Sequence, residues 1–248
     1  MADRSRARAE EPHLARDVLG AMLVASHGFV IAGELTRALA VAAEHHGARF
    51  VESDRVQRIH SGPSGLVVET DRRPLARDVV VLAAGSWSGR IEIEGAVSAP
   101  VRPVRGQLLQ LAWRGSPLRR VTWGERCYLV PWEDGTVLVG ATSEDVGFEE
   151  RTTAAGVHDL LEAASDLVPH VRTATFQGAR VGLRPATPDG LPLIGWSAVL
   201  ADLMYATGHY RNGVLLAPVT AMLVADAVLE KRIDPILEAA RPGRFGRL

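Results

Sequence analysis

A continuous apolar run over residues 79–84 constrains the fold more than any other feature of this chain. The run contains only valine, leucine and alanine, and it stops at Gly85. Because successive side chains of a strand point to opposite faces, an unbroken apolar run predicts a strand that is buried on both faces. Such strands are typical of parallel sheets that are covered by helices.

The middle of the chain predicts a second kind of sheet. Residues 108–113, 128–130 and 137–141 have strand character, and residues 133–135 form a tight hairpin turn. Further strands are predicted at residues 49–52, 56–59, 66–70, 173–183 and 203–207, and helices at residues 34–46, 152–168 and 214–231. The last helix contains Pro218, Thr220 and Asp226 within its apolar run, which favours a buried helix over a bilayer span.

These elements predict an α+β fold, in which an α/β sheet is combined with an antiparallel sheet. We expect three divisions: residues 1–100, residues 101–180 with the antiparallel sheet, and residues 181–248, which return to the first sheet. This is the arrangement expected of a nucleotide-binding domain that carries an inserted cap.

Composition excludes several classes of function. The 248 residues are 47% hydrophobic and carry a formal net charge of −1, with 5% aromatic residues. These values disfavour nucleic acid and acidic membranes as partners. The single cysteine, Cys127, allows no intramolecular disulfide, and the first 16 residues lack the apolar core of a signal peptide. We therefore expect a soluble, cytoplasmic protein.

Three glycine-containing segments carry candidate chemistry. Gly85 and Ser86 follow the buried run, where small residues let a ligand approach the backbone; an ordinary strand-to-loop glycine is the alternative. Arg184 leads a loop at residues 182–195 that is stiffened by prolines and glycines. Its guanidinium suits a carboxylate, although it is equally compatible with a surface position.

The third segment, residues 205–218, runs from a strand through Gly208 into an apolar helix. The start of that helix attracts negative charge, such as that on the pyrimidine end of a reduced flavin. His209 as a plain loop histidine and Arg211 as a solvated charge are the alternatives. Tyr128 lies on a predicted strand. Either its hydroxyl contacts a ligand, or the residue is a half-buried structural tyrosine. Cys127 points to the opposite face and is expected to be a core residue.

Taken in this order, the motifs resemble the glycine oxidase branch of the D-amino-acid oxidase-like flavoproteins. The resemblance extends from about Arg8 to the helix that ends near Lys231. It implies that FAD is the cofactor. It also implies that Arg184 grips the substrate carboxylate, helped by Tyr128 and Arg211. The positions implied to contact FAD are Val56 at the adenine, Gly85 and Ser86 near the dinucleotide, and Gly208, His209, Tyr210, Arg211, Asn212, Gly213, Val214 and Leu215 around the flavin.

The resemblance implies oxidation of glycine, sarcosine or small D-amino acids to an imine. Molecular oxygen would be reduced to hydrogen peroxide, and in relatives the imine can supply the thiazole half of thiamine. A homo-oligomer is compatible with the sequence. A dehydrogenase of the same superfamily and a non-catalytic truncated fragment that does not bind FAD remain alternatives.

One departure from the family is large. Its members begin with a strand, a Gly-x-Gly-x-x-Gly turn and a helix that cradle the FAD pyrophosphate, and this chain contains no such motif. We therefore expect an incomplete cofactor sheet with an unpaired edge. A fragment, a mis-started gene product and a missing part supplied by another polypeptide would each account for this.

Overall fold

A computed structural model describes the whole chain, residues 1–248. Its helices are α1 (Arg4–Glu10), α2 (Ala32–His45), α3 (Ala154–Leu167) and α4 (Gly213–Leu229). Its strands are β1 (Ala2–Asp3), β2 (Gly20–Ala21), β3 (Val56–Gly62), β4 (Gly65–Thr70), β5 (Leu75–Arg77), β6 (Val80–Leu82), β7 (Glu92–Ile93), β8 (Arg102–Ala112), β9 (Thr122–Trp123), β10 (Tyr128–Pro131), β11 (Thr136–Gly140), β12 (Thr175–Ala186), β13 (Leu193–Trp196) and β14 (Leu203–Thr207).

The chain divides into two compact units. The first unit comprises Met1–Ile31 and Arg105–Leu183, and the second comprises Ala32–Val104 and Arg184–Leu248. The chain passes from one unit to the other after Ile31, Val104 and Leu183, whereas the sequence predicted divisions after residues 100 and 180. Residues 1–31, which were expected in the first division, lie instead in the unit that holds the antiparallel sheet. The mixed sheets agree with the predicted α+β class.

The first unit is built on a five-stranded sheet in the order β12-β8-β11-β10-β9. Leu109, Leu129 and Val139 alternate with more exposed neighbours and point to one face, where they are fully buried. Leu160 and Ala164 of α3 belong to the same apolar cluster. The predicted alternation and the predicted helix at residues 152–168 therefore produce one packed sheet-and-helix layer.

Hydrogen bonds to backbone groups attach the amino-terminal segment to the rest of this unit. The amide of Ala15 donates to the carbonyl of Leu167 over 3.0 Å. The buried carboxylate of Glu11 accepts from the amides of Arg119 at 2.6 Å and Arg120 at 3.2 Å. These partners lie more than 100 positions away from Glu11, so local sequence patterns do not report them.

The second unit contains two small sheets. In one, with the order β13-β14-β6, the strands β14 and β6 run parallel. In the other, with the order β5-β4-β3-β7, the predicted hairpin forms β3 and β4. Buried residues of both sheets, among them Ile59, Leu66, Leu82, Leu193 and Tyr205, form one apolar cluster.

Burial in the second unit differs from the prediction. Leu82 of β6 is buried but Val81 is 39% exposed, so the expectation of a strand buried on both faces was wrong for β6. The strand is last in the order of its sheet, so its outer edge pairs with no other strand of residues 1–248. Residues 49–52 form no strand, because no neighbouring strand pairs with them.

Two helices of this unit are also more exposed than their sequences suggest. Helix α4 buries Leu223 and Ala227, which pack with residues of β13 and β14, but Leu215 is 79% exposed. The prediction of a buried helix was therefore wrong for most of its surface. Helix α2 buries none of its residues. No helix is both long enough and apolar enough to span a membrane.

A buried charged network ties β8 to the loop after β11 in the first unit. Glu144 accepts hydrogen bonds from Arg105 at 2.5 Å, Gln107 at 2.8 Å and Thr142 at 2.5 Å. Although burial alone would raise the pKa of Glu144, these hydrogen bonds lower it from 4.5 to about 2. Arg105 and Gln107 are themselves buried, so the carboxylate balances a charge that water does not reach.

We expect Glu144→Gln to destabilise the chain at pH 7 by about 3 kcal/mol, because it leaves a buried guanidinium with one carboxylate fewer. A carboxyl whose folded pKa is depressed stabilises the protein above its unfolded pKa. That contribution disappears as the pH falls from about 4.5 to about 2. Urea unfolding at several pH values measures both effects. Glu162→Gln, at an exposed carboxylate of α3, is the control. An unchanged acid slope in Glu144→Gln would contradict this account.

Candidate cofactor and substrate site

Tyr128 lies on the antiparallel sheet of the first unit. It pairs directly with Gly140 of β11 and with Trp123 of β9. A Cβ atom at position 140 would lie 2.3 Å from both Cζ and Oη of Tyr128, so the phenol ring lies across the backbone of β11. Only glycine allows this close approach.

Cys127 points to the other face of the same sheet, as predicted. It is buried in the apolar cluster under α3. Burial raises the pKa of its thiol to about 11, so the thiolate is scarce near neutral pH. Both observations favour a packing role for Cys127.

In the second unit, the carboxyl ends of β6 and β14 are joined by side-chain hydrogen bonds. The hydroxyl of Thr207 donates to the carbonyl of Gly85 over 3.2 Å. That hydroxyl also lies 2.8 Å from the hydroxyl of Ser88, which must then be the donor. Ser88 and Thr207 are buried, so the turn that begins at Gly85 is fixed beside the end of β14.

The end of β12 and the loop that follows it contact the segment that begins at Gly208. The amide of Tyr210 donates to the carbonyl of Pro185 over 2.9 Å. A Cβ atom at Gly208 would lie 2.7 Å from Thr187 Cγ2, and Gly208 has a φ of +76°. These contacts bring the three segments that were singled out from the sequence together in one unit.

An ion pair that the sequence analysis missed holds the Arg184 loop. Arg244 Nε donates to Asp189 over 2.7 Å, and Nη2 donates to the carbonyls of Leu191 and Pro192 over 3.0 Å each. The hydrogen bond from Arg244 lowers the pKa of Asp189 to about 2. Arg244 lies 55 positions after Asp189, so no local motif connects them.

The loop before α4 presents backbone and side-chain groups in a fixed arrangement. No side chain caps the start of α4 at Asn212, which leaves first-turn N–H groups for another acceptor. Nε2 of His209 lies 3.0 Å from the hydroxyl of Thr220, and burial lowers the pKa of this imidazole. The guanidinium of Arg211 is exposed and lies 5.1 Å from the ring centroid of Tyr210.

The predicted residues are therefore distributed between the two units. Arg184, Arg211, Val56, Gly85, Ser86 and residues 208–215 lie in the second unit, and Tyr128 lies in the first. The sequence analysis did not identify Ser88, Thr207 or Arg244. Their partners are distant in the chain, and no spacing rule identifies them.

The parallel strand pair, with glycine turns and an uncapped helix at its carboxyl end, defines the chain as part of a nucleotide-cofactor-binding α+β protein. Comparison with known proteins narrows this class. Residues 1–227 match the family described as FAD dependent oxidoreductase (DAO), and the chain belongs to that family.

Several relatives are similar along most of this chain. It is 39% identical over 240 residues to the bifunctional protein ThiO/ThiG of Trichormus variabilis, covering 95% of this chain and 36% of the relative. It is 40% identical over 223 residues to glycine oxidase of Geobacillus kaustophilus, covering 89% and 59%. The crystal structure of that glycine oxidase matches with a TM-score of 0.92 at 37% identity, covering 98% of this chain and 66% of the other. The chain thus spans about two-thirds or less of these relatives.

The residues present fit the flavin end of FAD. The uncapped start of α4, beside the exposed Val214 and Leu215, suits the polar edge and apolar face of a flavin ring. A Cβ atom at Gly85 would meet no atom within 4 Å, which leaves room for a ligand at that turn. Among residues 1–248 there is no Gly-x-Gly-x-x-Gly turn for the pyrophosphate.

We expect Arg244→Met to loosen the Arg184 loop, because it removes a partly buried ion pair and four hydrogen bonds to backbone carbonyls, two of which belong to the loop. The free energy of unfolding should fall by about 3 kcal/mol. Amide hydrogen exchange at residues 187–193 should become faster. Arg241→Met, which removes an exposed ion pair with Glu238, is the matched control and should change stability by under about 1 kcal/mol. Equal effects of the two substitutions would show that Arg244 does not lock the loop.

Proposed function

We propose that this chain provides the substrate-binding residues and the flavin end of an FAD-dependent amine oxidase. Its substrates would be glycine, sarcosine or small D-amino acids. The observation that carries the proposal is the convergence of the Gly85 turn, the Arg184 loop and the start of α4 at one sheet edge. The similarity to glycine oxidase of Geobacillus kaustophilus supports the same chemistry.

Arg184 and Arg211 are proposed to bind the substrate carboxylate, with Tyr128 as a further donor. A guanidinium offers two parallel N–H groups to a carboxylate, and Arg184 is half-buried at the end of a long strand that restrains it. The ring of Tyr128 is fixed across Gly140, so its hydroxyl is presented in one orientation. Arg184 and Arg211 would orient the substrate so that its Cα–H bond faces the cofactor.

FAD, when bound, would supply the acceptor for a hydride from the substrate Cα, which carries both electrons of the oxidation, and passage of these two electrons to molecular oxygen would give hydrogen peroxide. The chain's part in this step is electrostatic. The N–H groups at the start of α4 favour negative charge nearby, and the neutral imidazole of His209 bonds to Thr220 and adds no charge. Val56, Gly85, Ser86 and residues 208–215 are proposed to contact the cofactor.

The name ThiO/ThiG of a similar protein supports a place in thiamine biosynthesis. The family resemblance implies that the imine product would supply the thiazole half of thiamine. The proposal includes a cytoplasmic location and a homo-oligomeric state. The near-zero net charge argues against nucleic acid or an acidic membrane surface as a partner.

Titration of the purified chain with FAD, followed by flavin absorbance and fluorescence, tests the proposal directly. We expect saturable binding, and bleaching of the flavin absorbance when glycine or a D-amino acid is added without oxygen. Readmission of oxygen should restore the colour and release hydrogen peroxide. Absence of FAD binding would refute the proposed function for this chain.

Arg184→Ala should raise KM for glycine at least about tenfold, because hydrogen bonds to a charged group contribute about 1.5–3 kcal/mol each. Steady-state kinetics of the FAD-loaded chain measure this effect. Arg37→Ala removes an exposed arginine of α2 and should leave KM unchanged. An unchanged KM in Arg184→Ala would remove Arg184 from the site.

A further inference from the structure

The side chain of His209 turns back onto helix α4 and forms a hydrogen bond with a residue about two turns into it. Its Nε2 atom lies 3.0 Å from the hydroxyl of Thr220, which comes 11 positions later in the chain. Both side chains are half-buried, and both belong to the second unit. The contact therefore ties the loop before α4 to the body of the helix.

The backbone on both sides of His209 is fixed independently of this contact. Gly208 and Tyr210 have positive φ angles, of +76° and +49°. This conformation is unfavourable for tyrosine, so surrounding contacts must hold it. The amide of Tyr210 donates to the carbonyl of Pro185 over 2.9 Å, and the amide of Asn212 donates to the carbonyl of His209 over the same distance. The imidazole therefore reaches α4 from a defined position.

The hydroxyl of Thr220 does not bond as a helical threonine commonly does. In α2, the hydroxyl of Thr36 donates to the carbonyl of Ala32, four positions earlier, over 2.8 Å. The hydroxyl of Thr220 instead has Nε2 of His209 as its one hydrogen-bonding partner among residues 1–248. If Nε2 carried a proton, it would donate to this oxygen and leave the hydroxyl proton without an acceptor in the protein. If Nε2 is unprotonated, the hydroxyl donates to it and both groups are satisfied, which favours this arrangement.

The charge state of His209 completes the assignment of its proton. Burial lowers the pKa of this imidazole, and no neighbouring charge contributes to the shift. The ring therefore carries a single proton at neutral pH. A second proton would also place a positive charge beside the start of α4, which is the positive end of the helix dipole. With Nε2 as the acceptor, the single proton lies on Nδ1.

We propose that Thr220 is a positioning residue of the cofactor site, which fixes the ring proton of His209 on Nδ1 so that this imidazole offers FAD a hydrogen-bond donor and no acceptor. The inference rests on the proposed function, which places His209 in contact with the cofactor. A donor suits the carbonyl oxygens of a flavin ring, and the bond strengthens when the ring gains negative charge on reduction. Thr220 itself needs no contact with the cofactor.

NMR of the full chain with ¹⁵N-labelled histidine, recorded without FAD, tests the position of the proton. The signals of His209 are those missing from the spectrum of His209→Gln. At about pH 7.5 we expect Nε2 to have the shift of an unprotonated ring nitrogen and Nδ1 that of a protonated one. In Thr220→Val, which keeps the shape and removes the hydroxyl, the proton should move largely to Nε2, its preferred site in free histidine. Thr220→Ser should restore the wild-type shifts, and Thr36→Val, the matched control on α2, should leave them unchanged.

A protonated Nε2 in the wild type would overturn the proposal, as would an unprotonated Nε2 that persists in Thr220→Val. Thermal unfolding of each variant verifies that it is folded. The wild-type spectrum decides the position of the proton even if a variant is unstable.

Titration with FAD separates this inference from the proposed function. The dissociation constant of Thr220→Val should be at least about fivefold that of the wild type, whereas that of Thr220→Ser should stay within about twofold. Equal FAD affinities of the wild type and Thr220→Val would overturn the positioning role and leave the proposed function standing. Absence of FAD binding by the wild type would refute the proposed function and the role of Thr220 at a cofactor, whereas the position of the proton would still be decided by NMR.

Discussion

Parallel pairing of β6 with β14 is the interaction on which the second unit depends. The two strands come from distant parts of the chain, and the hydrogen bond from Thr207 to Gly85 joins residues 122 positions apart. Once they pair, the Gly85 turn and the loop before α4 leave the sheet at the same edge. Strands must run parallel for this to occur, because only then do their carboxyl ends coincide. The intervening sequence is free to form the antiparallel sheet of the first unit.

Local patterns predicted most elements of this fold. The apolar run at residues 203–207 became β14 with unchanged limits, and the helical spacing at residues 152–168 became α3. Burial was predicted less well. Val81 and Leu215 are apolar but exposed, and residues 49–52 form no strand. Apolar composition reports what a segment can bury, whereas actual burial depends on whether a neighbouring element is present to cover it.

The candidate site likewise contains residues that local sequence patterns identify and residues that they do not. Gly85, Arg184 and Gly208 were recognisable because glycine and proline restrict the backbone locally, and such restriction is visible in a short segment. Arg244 and Ser88 were not recognisable, because each acts through a partner that is remote in the chain. The ring contacts near Tyr128 follow the same rule: Trp123 and Tyr128 are close in sequence, but His27 meets Trp123 only through the folding of residues 1–31.

Helix α2 is expected to unfold and refold locally, because none of its residues is buried. Its 14 residues bury no side chain, so their helical state depends on backbone hydrogen bonds and on local pairs such as Glu34 with Arg37. A helix of this length is marginal in water when tertiary packing does not support it. Its amides should therefore open by helix–coil transitions within a microsecond or so, long before the rest of the unit unfolds. A molecule that binds to α2 would gain free energy from the contacts it makes. Part of that free energy would be offset by the conformational entropy lost when the helix becomes ordered.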